Sequence, residues 1–353
     1  MSITRADIEA RLALLELPDG GNLVSRDMVR ALSISGSEVR FVIEAPTPEM
    51  ARMMEPLRAA AERAALTLPG VSHASVALTA HAAPPTPSLK LGGHPKGGDS
   101  SIRPEGIKSI LAVASGKGGV GKSTVASNLA VALARRGRRV GLLDGDIHGP
   151  SQPRMMGLSA RPVSVDGQTM VPLRAHGVSV MSIGLMLDPA KAVVWRGPML
   201  MGALQQMMTQ VVWGELDVLI VDLPPGTGDV QLTLCQRARP DGAIVVSTPQ
   251  DVALLDARKA LDMFQVLETP ILGLIENMSV FHCPDCGHEA HIFGHGGVRA
   301  EAETLGLPLL AALPIDLETR LSGDSGVPVA LGAGPTAEAY GTLARRLVEE
   351  GRA

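Results

Sequence analysis

The first part of the chain has the hydrophobic pattern of a small α/β unit. From residue 38 to 44, hydrophobic and charged residues alternate, which predicts a strand with one buried face. Hydrophobic residues at helical spacing predict a helix over 4–17, and an alanine-rich stretch predicts helical structure over 48–68, with a short strand expected at 76–78. We therefore expect residues 1–82 to fold as a small α/β domain.

The remainder, residues 107–353, has a different pattern, in which whole strands are hydrophobic. Seven continuous apolar runs occur, at 110–114, 140–143, 178–183, 218–223, 243–247, 271–275 and 309–313. Strands without a polar face are typical of a parallel sheet that helices cover on both sides. Parallel strands need long connections, and the stretches 122–136 and 252–267 are long enough to hold helices. The pattern predicts an α/β fold with a mostly parallel, doubly wound sheet.

The two parts are joined by a stretch with the composition of a linker. Five prolines and four glycines lie among polar residues between 83 and 104, so we expect a mobile linker over 83–106. No apolar run approaches the roughly 18 to 20 residues of a membrane span, and the start, MSITRADIEARL, lacks the apolar stretch of a signal peptide. We therefore expect neither secretion nor membrane insertion.

Composition narrows the choice of partner and compartment. A net charge of −4 and an aromatic content of 2% argue against a nucleic-acid partner, which needs basic surface and stacking platforms. The three cysteines cannot form a disulfide framework, and two of them, Cys283 and Cys286, form a C-x-x-C pair. In a reducing compartment such a pair indicates metal or redox chemistry, so we expect a cytoplasmic protein.

A phosphate-binding loop follows the first of the apolar runs. The loop consists of Gly116, Lys117, Gly118, Gly119, Val120, Gly121, Lys122, Ser123 and Thr124, and it fits G-x-x-x-x-G-K-[ST]. The glycines let backbone N–H groups surround a phosphate, Lys122 neutralises the β and γ oxygens, and Ser123 binds Mg²⁺. Glycine-rich turns before helices are common. The strand, the Lys-Ser pair and the helix together nevertheless favour a nucleoside triphosphate site.

The second lysine of the loop, Lys117, gives the form K-G-G-x-G-K-[ST]. This form resembles the deviant Walker A motif of the nitrogenase iron protein, MinD and ParA group. The resemblance implies that ATP joins two chains as a homodimer and that Lys117 contacts the nucleotide of the partner subunit, in the manner of an arginine finger. The alternative is that Lys117 is a solvated loop lysine.

Two carboxylates at strand ends match the same group. Asp146 resembles the aspartate that orients the attacking water, and Asp222 resembles the Walker B carboxylate that holds Mg²⁺ through water. Carboxylates at strand ends otherwise form turns or cap helices. Asp144 is expected to have a structural or supporting role.

Several further motifs narrow the resemblance to the Mrp (ApbC-type) iron-sulfur cluster carriers, from about residue 107 to the C-terminus. They lie at 146–151, 195–199, 222–229, 247–253, 276–279 and 293–297. The resemblance implies that Asn277 hydrogen-bonds adenine, although Asn277 could instead cap the following turn. His148 stands where a tyrosine is expected, and Cys235 where a small apolar residue is expected.

Residues 1–82 look like the small iron-sulfur-assembly domain that often precedes such carriers. Many of these domains have a cysteine after a Thr-Pro, and none follows Thr47-Pro48 here. We therefore expect a docking role for this domain rather than a metal site.

The pair Cys283 and Cys286 leaves more than one kind of metal site open. A [4Fe-4S] cluster generally takes four thiolates, so two chains would each supply this pair at a two-fold axis. Zinc could bind the same four thiolates, or Cys283, Cys286, His288 and His291 within one chain. The family resemblance favours the iron-sulfur cluster.

The leading hypothesis is thus an ATPase that carries a labile iron-sulfur cluster to apo iron-sulfur proteins. A second hypothesis is a positioning ATPase like MinD or ParA, which binds membrane or DNA as an ATP dimer. The last predicted helix ends in Glu349 and Glu350, which an anionic membrane would repel, and no basic stripe suggests DNA. A third is an electron donor like the nitrogenase iron protein, and a fourth is a nucleotide-switched binding protein with a structural zinc.

Overall fold

The computed structural model describes residues 4–15, 17, 20–46, 48–80, 101–164, 166–186 and 197–353. The chain forms two compact units, residues 1–85 and 86–353. The elements of the first unit are α1 (Arg5–Leu12), β1 (Val29–Ser35), β2 (Glu38–Ala45), α2 (Pro48–Met53), α3 (Glu55–Leu66) and β3 (His73–Ala80).

The first unit is a three-stranded sheet with helices that share its core. The strand order is β1-β2-β3, with β1 antiparallel and β3 parallel to β2. Helix α1 begins after Thr4, whose side chain and that of Asp7 form a capping box. The helical stretch predicted over 48–68 is two helices, because Pro56, in the first turn of α3, has no N–H with which to continue α2.

The second unit contains the remaining elements. They are β4 (Ile107–Ala114), α4 (Lys122–Arg135), β5 (Val140–Asp144), α5 (Gln152–Met155), β6 (Leu173–Ala175), β7 (Val178–Ser182), α6 (Gly197–Thr209), β8 (Leu216–Asp222), α7 (Asp229–Ala238), β9 (Gly242–Ser247), α8 (Asp251–Val266), β10 (Ile271–His282), β11 (Glu289–Ala290), α9 (Gly297–Leu305), β12 (Leu309–Ile315), α10 (Leu317–Ser325) and α11 (Pro335–Glu349).

These strands form one nine-stranded sheet in the order β11-β10-β9-β4-β8-β5-β7-β6, and β12 also pairs with β10. The seven strands predicted from the apolar runs are the parallel ones, whereas β6 and β11 are antiparallel. Helices cover both faces: side chains of α4 and α11 share one core, and side chains of α6, α7 and α8 share the other. The prediction of a doubly wound, mostly parallel α/β fold is confirmed.

The pairing register brings particular strand ends together. Asp144 at the end of β5 is paired with Asp222 at the end of β8, and Glu276 in β10 is paired with Ser247 at the end of β9. The carboxyl ends of an open parallel sheet are where ligands bind. No helix in the described part of the chain is long and apolar enough to span a membrane.

Most of the predicted linker, residues 81–100, lies outside the described residues. Its last residues, 101–106, belong to the second unit and pack within it. Ile102 is buried, and its N–H donates to Arg237 O at 3.0 Å. Arg103 forms an ion pair with Asp241 at 2.8 Å.

Candidate nucleotide site and cysteine hairpin

The phosphate-binding loop connects β4 to α4, and its glycines are required by the backbone. Gly119 and Gly121 have φ of 82° and 84°, in the left-handed region that favours glycine. A Cβ atom at Gly116 would clash with the main chain of Asp256 in α8. Helix α4 begins at Lys122, directly after the loop. The loop therefore presents the start of a helix to the carboxyl edge of the sheet, the arrangement that binds phosphate.

Lys122 and Asp222 form a buried ion pair at this edge. Their side chains are 6% and 0% exposed, and Lys122 Nζ contacts Asp222 Oδ1. Lys122 Nζ also donates to Ser123 Oγ at 3.3 Å. The structure thus brings together the three side chains predicted to bind the phosphates and Mg²⁺.

The second oxygen of Asp222 is held by a residue that sequence reasoning missed. Gln152, the first residue of α5, is fully buried, and its Nε2 donates to Asp222 Oδ2 at 2.8 Å and to Ser123 O at 3.0 Å. The Gln152 backbone N–H donates to Asp144 Oδ2 at 3.2 Å. A glutamine at the start of a four-residue helix has no sequence signal beyond its position after the 146–151 motif.

Asp144 and Asp146 differ in environment. Asp144 is fully buried and accepts from Ser182 Oγ at 2.9 Å and from two backbone N–H groups. Burial, reinforced by the nearby Asp222, raises the pKa of Asp144 to about 7. Asp146 is half-buried, and its Oδ1 accepts from Gly149 N at 3.2 Å. Asp144 therefore anchors the chain beneath the site, while Asp146 retains access to solvent.

Lys117 is half-buried, and its side chain has no hydrogen bond or ion pair with any residue that the structure describes. Only its carbonyl is engaged, by Ser115 Oγ at 2.9 Å. Its ammonium group is therefore free to meet an anion from outside the described chain.

A cleft of about 660 Å³ opens beside the loop, next to Gly121 and Thr124. Asn277 lines it and donates from Nδ2 to Val120 O at 2.9 Å. The alternative that Asn277 caps a turn is wrong, because β10 continues to His282. Most of the cleft comes from side chains that the sequence did not indicate, among them Arg154, Met155, Met278, Phe281, Pro314, Asp316, Leu317 and Arg320.

The cysteine pair lies in a β-hairpin. Strands β10 and β11 pair antiparallel, and the loop between them is closed by Cys283 N–H to His288 O at 3.0 Å and Gly287 N–H to Cys283 O at 2.9 Å. Cys283 is half-buried and Cys286 is exposed. Backbone N–H groups of Cys286 and Asp285, with the Cys286 side chain, hydrogen-bond the Cys283 sulfur and lower its pKa. The hairpin thus favours the thiolate that a metal requires.

The one-chain zinc set is not assembled. Among the residues that the structure describes, no group of three or more His, Cys, Asp or Glu side chains is placed to hold a metal ion. His291 instead donates from Nδ1 to Ser279 O at 3.1 Å, and its ring centroid lies 4.1 Å from that of His295. The third cysteine, Cys235, is buried in α7, and burial raises its pKa to about 12.

Two sequence motifs are only partly visible. Trp195 and Arg196 of the 195–199 motif, and Thr47 of the first unit, lie outside the described residues.

Two family profiles match this chain. The family described as NUBPL iron-transfer P-loop NTPase (ParA) matches residues 106–348. The family described as iron-sulfur cluster assembly protein matches residues 5–77.

Individual proteins agree with these matches. An iron-sulfur cluster carrier protein of Synechocystis sp. is 44% identical over 324 residues, 90% of this chain and 88% of that protein. Another, from Pseudomonas fragi, is 53% identical over 227 residues, 64% of this chain and 79% of that protein. Among solved structures, a nucleotide-binding protein from Archaeoglobus fulgidus in complex with ADP is 38% identical, with a TM-score of 0.58, over 65% of this chain and 90% of that one.

Proposed function

Because the chain belongs to the iron-transfer P-loop NTPase family of iron-sulfur cluster carriers, we propose that it hydrolyses ATP to control the loading or release of a cluster. In this proposal the cluster is cargo. It is bound between two copies of the chain and delivered to apo iron-sulfur proteins in the cytoplasm.

The observation that supports the proposal is that one strand, β10, runs from the cleft beside the phosphate-binding loop to the cysteine hairpin. Strand β10 places Asn277 in the cleft beside the phosphate-binding loop, and it ends directly before Cys283. A [4Fe-4S] cluster takes four thiolates, and the hairpin of one chain offers two. A second copy related by a two-fold axis would supply the other two, which supports a homodimer as the loaded form.

The ATP site would use the predicted residues in these roles. Lys122 neutralises the β and γ oxygens, Asn277 binds the adenine edge, and Asp146 orients the attacking water. Lys117 reaches the phosphates of the nucleotide in the other copy. Its lack of a partner in the described part of its own chain supports this role.

The residues at the phosphate edge also fit Mg²⁺, which prefers oxygen ligands. Ser123 offers a hydroxyl and Asp222 a carboxylate that would act through water. The buried Gln152 Oε1 has no hydrogen-bond partner among the residues that the structure describes. When bound, Mg²⁺ neutralises charge on the transferring phosphate.

We further propose a separate role for each segment of the chain. Residues 107–353 form the ATPase domain, residues 1–82 dock a partner, and 83–106 link them. The nucleotide acts on the cargo by shifting the dimer between arrangements that differ in exposure of Cys283 and Cys286.

The test is anaerobic reconstitution with iron and sulfide, followed by iron and acid-labile sulfide counts, visible absorption and size measurement. The wild type should hold about four irons and four sulfides per two chains. Cys283→Ser and Cys286→Ser should each lose the cluster and its absorption. Cys235→Ala is the matched control, because it removes a buried thiol outside the hairpin, and it should load normally. A cluster retained by Cys283→Ser, or a wild type that holds only zinc, would refute the cargo assignment.

A further inference from the structure

One buried polar atom beside the phosphate-binding loop has no hydrogen-bond partner in the described part of the chain. The carbonyl oxygen of Gln152, Oε1, is buried without a hydrogen-bond partner, a condition shared only by Thr248 Oγ1 among the buried side-chain atoms of the described residues. Buried carbonyl groups are nearly always hydrogen-bonded, because losing water without replacement is costly. A fully buried glutamine is therefore better explained by a donor that arrives with a ligand than by packing.

The other end of the same amide controls Asp222. Gln152 Nε2 bridges Asp222 Oδ2 and Ser123 O, at 2.8 and 3.0 Å, while Lys122 contacts Asp222 Oδ1. If Lys122 turns to the phosphates of a bound nucleotide, Oδ1 is released and Oδ2 stays bonded to Gln152. The amide thus fixes the rotation of the carboxylate and determines which oxygen becomes available.

Gln152 is itself held in place through both its backbone and its side chain. Its backbone N–H donates to Asp144, and its Nε2 donates to the Ser123 carbonyl in the first turn of α4. A glutamine held at its backbone N–H and at its side-chain Nε2 keeps its rotamer when its neighbours change partners.

We propose that Gln152 is a positioning residue for the magnesium of the nucleotide site. Its Nε2 turns Asp222 so that Oδ1 faces a magnesium-bound water, and its Oε1 accepts a hydrogen bond from a water of the same shell. Water on Mg²⁺ is a strong donor, and outer-shell acceptors of this kind orient the metal's ligands. This inference rests on the proposed ATP site and adds to it the residue that couples the metal to Asp222.

The experiment measures the contribution of the metal to nucleotide affinity. The Kd of a fluorescent ATP analogue is determined for the full chain in excess Mg²⁺ and in EDTA, and the ratio of the two values gives the magnesium coupling. Gln152→Met preserves side-chain length and removes both polar atoms. It should lower the coupling by about 10- to 100-fold, the usual effect of losing an outer-shell partner, and leave the Kd in EDTA unchanged. Mn²⁺ binding in the presence of ATP, followed by electron paramagnetic resonance, should weaken by the same factor.

Two further variants provide a control and an alternative to Gln152→Met. Gln205→Met removes a half-buried glutamine whose amide bonds Arg237 on α7, and it should keep the wild-type coupling. Gln152→Asn retains a polar group but is too short to bridge Ser123 O and Asp222. It should also lose coupling, so it replaces Gln152→Met if that variant does not fold.

The outcomes separate this inference from the function on which it rests. Equal coupling in the wild type and the Gln152 variants, or an equal loss of affinity in Mg²⁺ and in EDTA, would overturn the positioning role and leave the ATP site intact. A wild type that binds no nucleotide would overturn both.

Discussion

The buried pair of Lys122 and Asp222 should make the phosphate-loop lysine a determinant of stability as well as of nucleotide binding. Lys122→Met removes the charge and keeps the aliphatic stem, and it leaves Asp222 unpaired at 0% exposure. Removing one partner of a buried ion pair costs about 3 to 5 kcal/mol. Because the Gln152 amide still donates to Asp222, we expect Lys122→Met to lower the free energy of unfolding by about 3 kcal/mol, near the lower limit of this range.

A double-mutant cycle with Asp222→Asn isolates the pairwise energy. The double variant no longer buries an uncompensated charge. Its loss of unfolding free energy should therefore be smaller than the sum of the losses in the two single variants by about 2 to 3 kcal/mol. The matched control is the exposed pair of Lys259 and Asp256, 2.9 Å apart on α8, for which the same cycle should give only about 0.3 to 0.5 kcal/mol.

Urea unfolding in EDTA without nucleotide, followed by tryptophan fluorescence, provides the measurement. Both tryptophans, Trp195 and Trp213, belong to the 86–353 unit, so the signal reports that unit alone. If the loss of unfolding free energy in the double variant equals the sum of the losses in Lys122→Met and Asp222→Asn within about 0.5 kcal/mol, the protein without nucleotide has no buried ion pair at this site. If the pair is present, a Lys122 variant that lacks activity must be shown to be folded before the loss is assigned to phosphate binding.

Two more predictions concern Lys117 and the cysteines. Lys117→Ala and Asp146→Asn should each hydrolyse ATP slowly, and mixing them should restore up to about a quarter of the wild-type rate, because half of randomly paired dimers contain one complete site. A mixture no faster than its components would show that Lys117 does not act on the partner subunit. Iodoacetamide at pH 7.5 should alkylate Cys283, whose pKa is lowered, and leave Cys235 unmodified, since burial raises its pKa to about 12 and keeps it protonated. Peptide mass spectrometry that found equal labelling would contradict this difference.

The sequence predicted those strands in which burial on both faces makes every position hydrophobic. All seven parallel strands are apolar on both faces, and each coincides with one of the continuous apolar runs. The three strands that the sequence did not reveal are antiparallel. Strands β6 and β11 are three and two residues long, too short to show alternation. In β1, Ala31 has a φ of 51° and the pairing shifts between Arg30 and Ser33, so its alternation is interrupted.

Parts of the nucleotide site differ in predictability for a related reason. Lys122 and Ser123 come after β4 and Asp222 ends β8, and these two strands are neighbours in the sheet. Residue type and position at a strand end were therefore sufficient to predict that the three side chains lie together. Gln152 and the 314–324 side of the cleft have no such local signal. Their roles depend on which side chains α5 and α10 turn toward the loop, and that is a property of the tertiary packing.

The position of Asn277 shows how a single strand connects the phosphate-binding loop to the cysteine hairpin. Its side chain is bonded to Val120 O within the phosphate-binding loop, and Cys283 follows six residues later, at most about 20 Å along β10. Between them, Met278 has a φ of 57°, and the pairing with β12 shifts between Asn277 and Phe281. In the proposed function, a movement of the loop would reach the hairpin along this strand, through a point where the strand is irregular. The proposed coupling between nucleotide and cluster would then need no structural element other than β10.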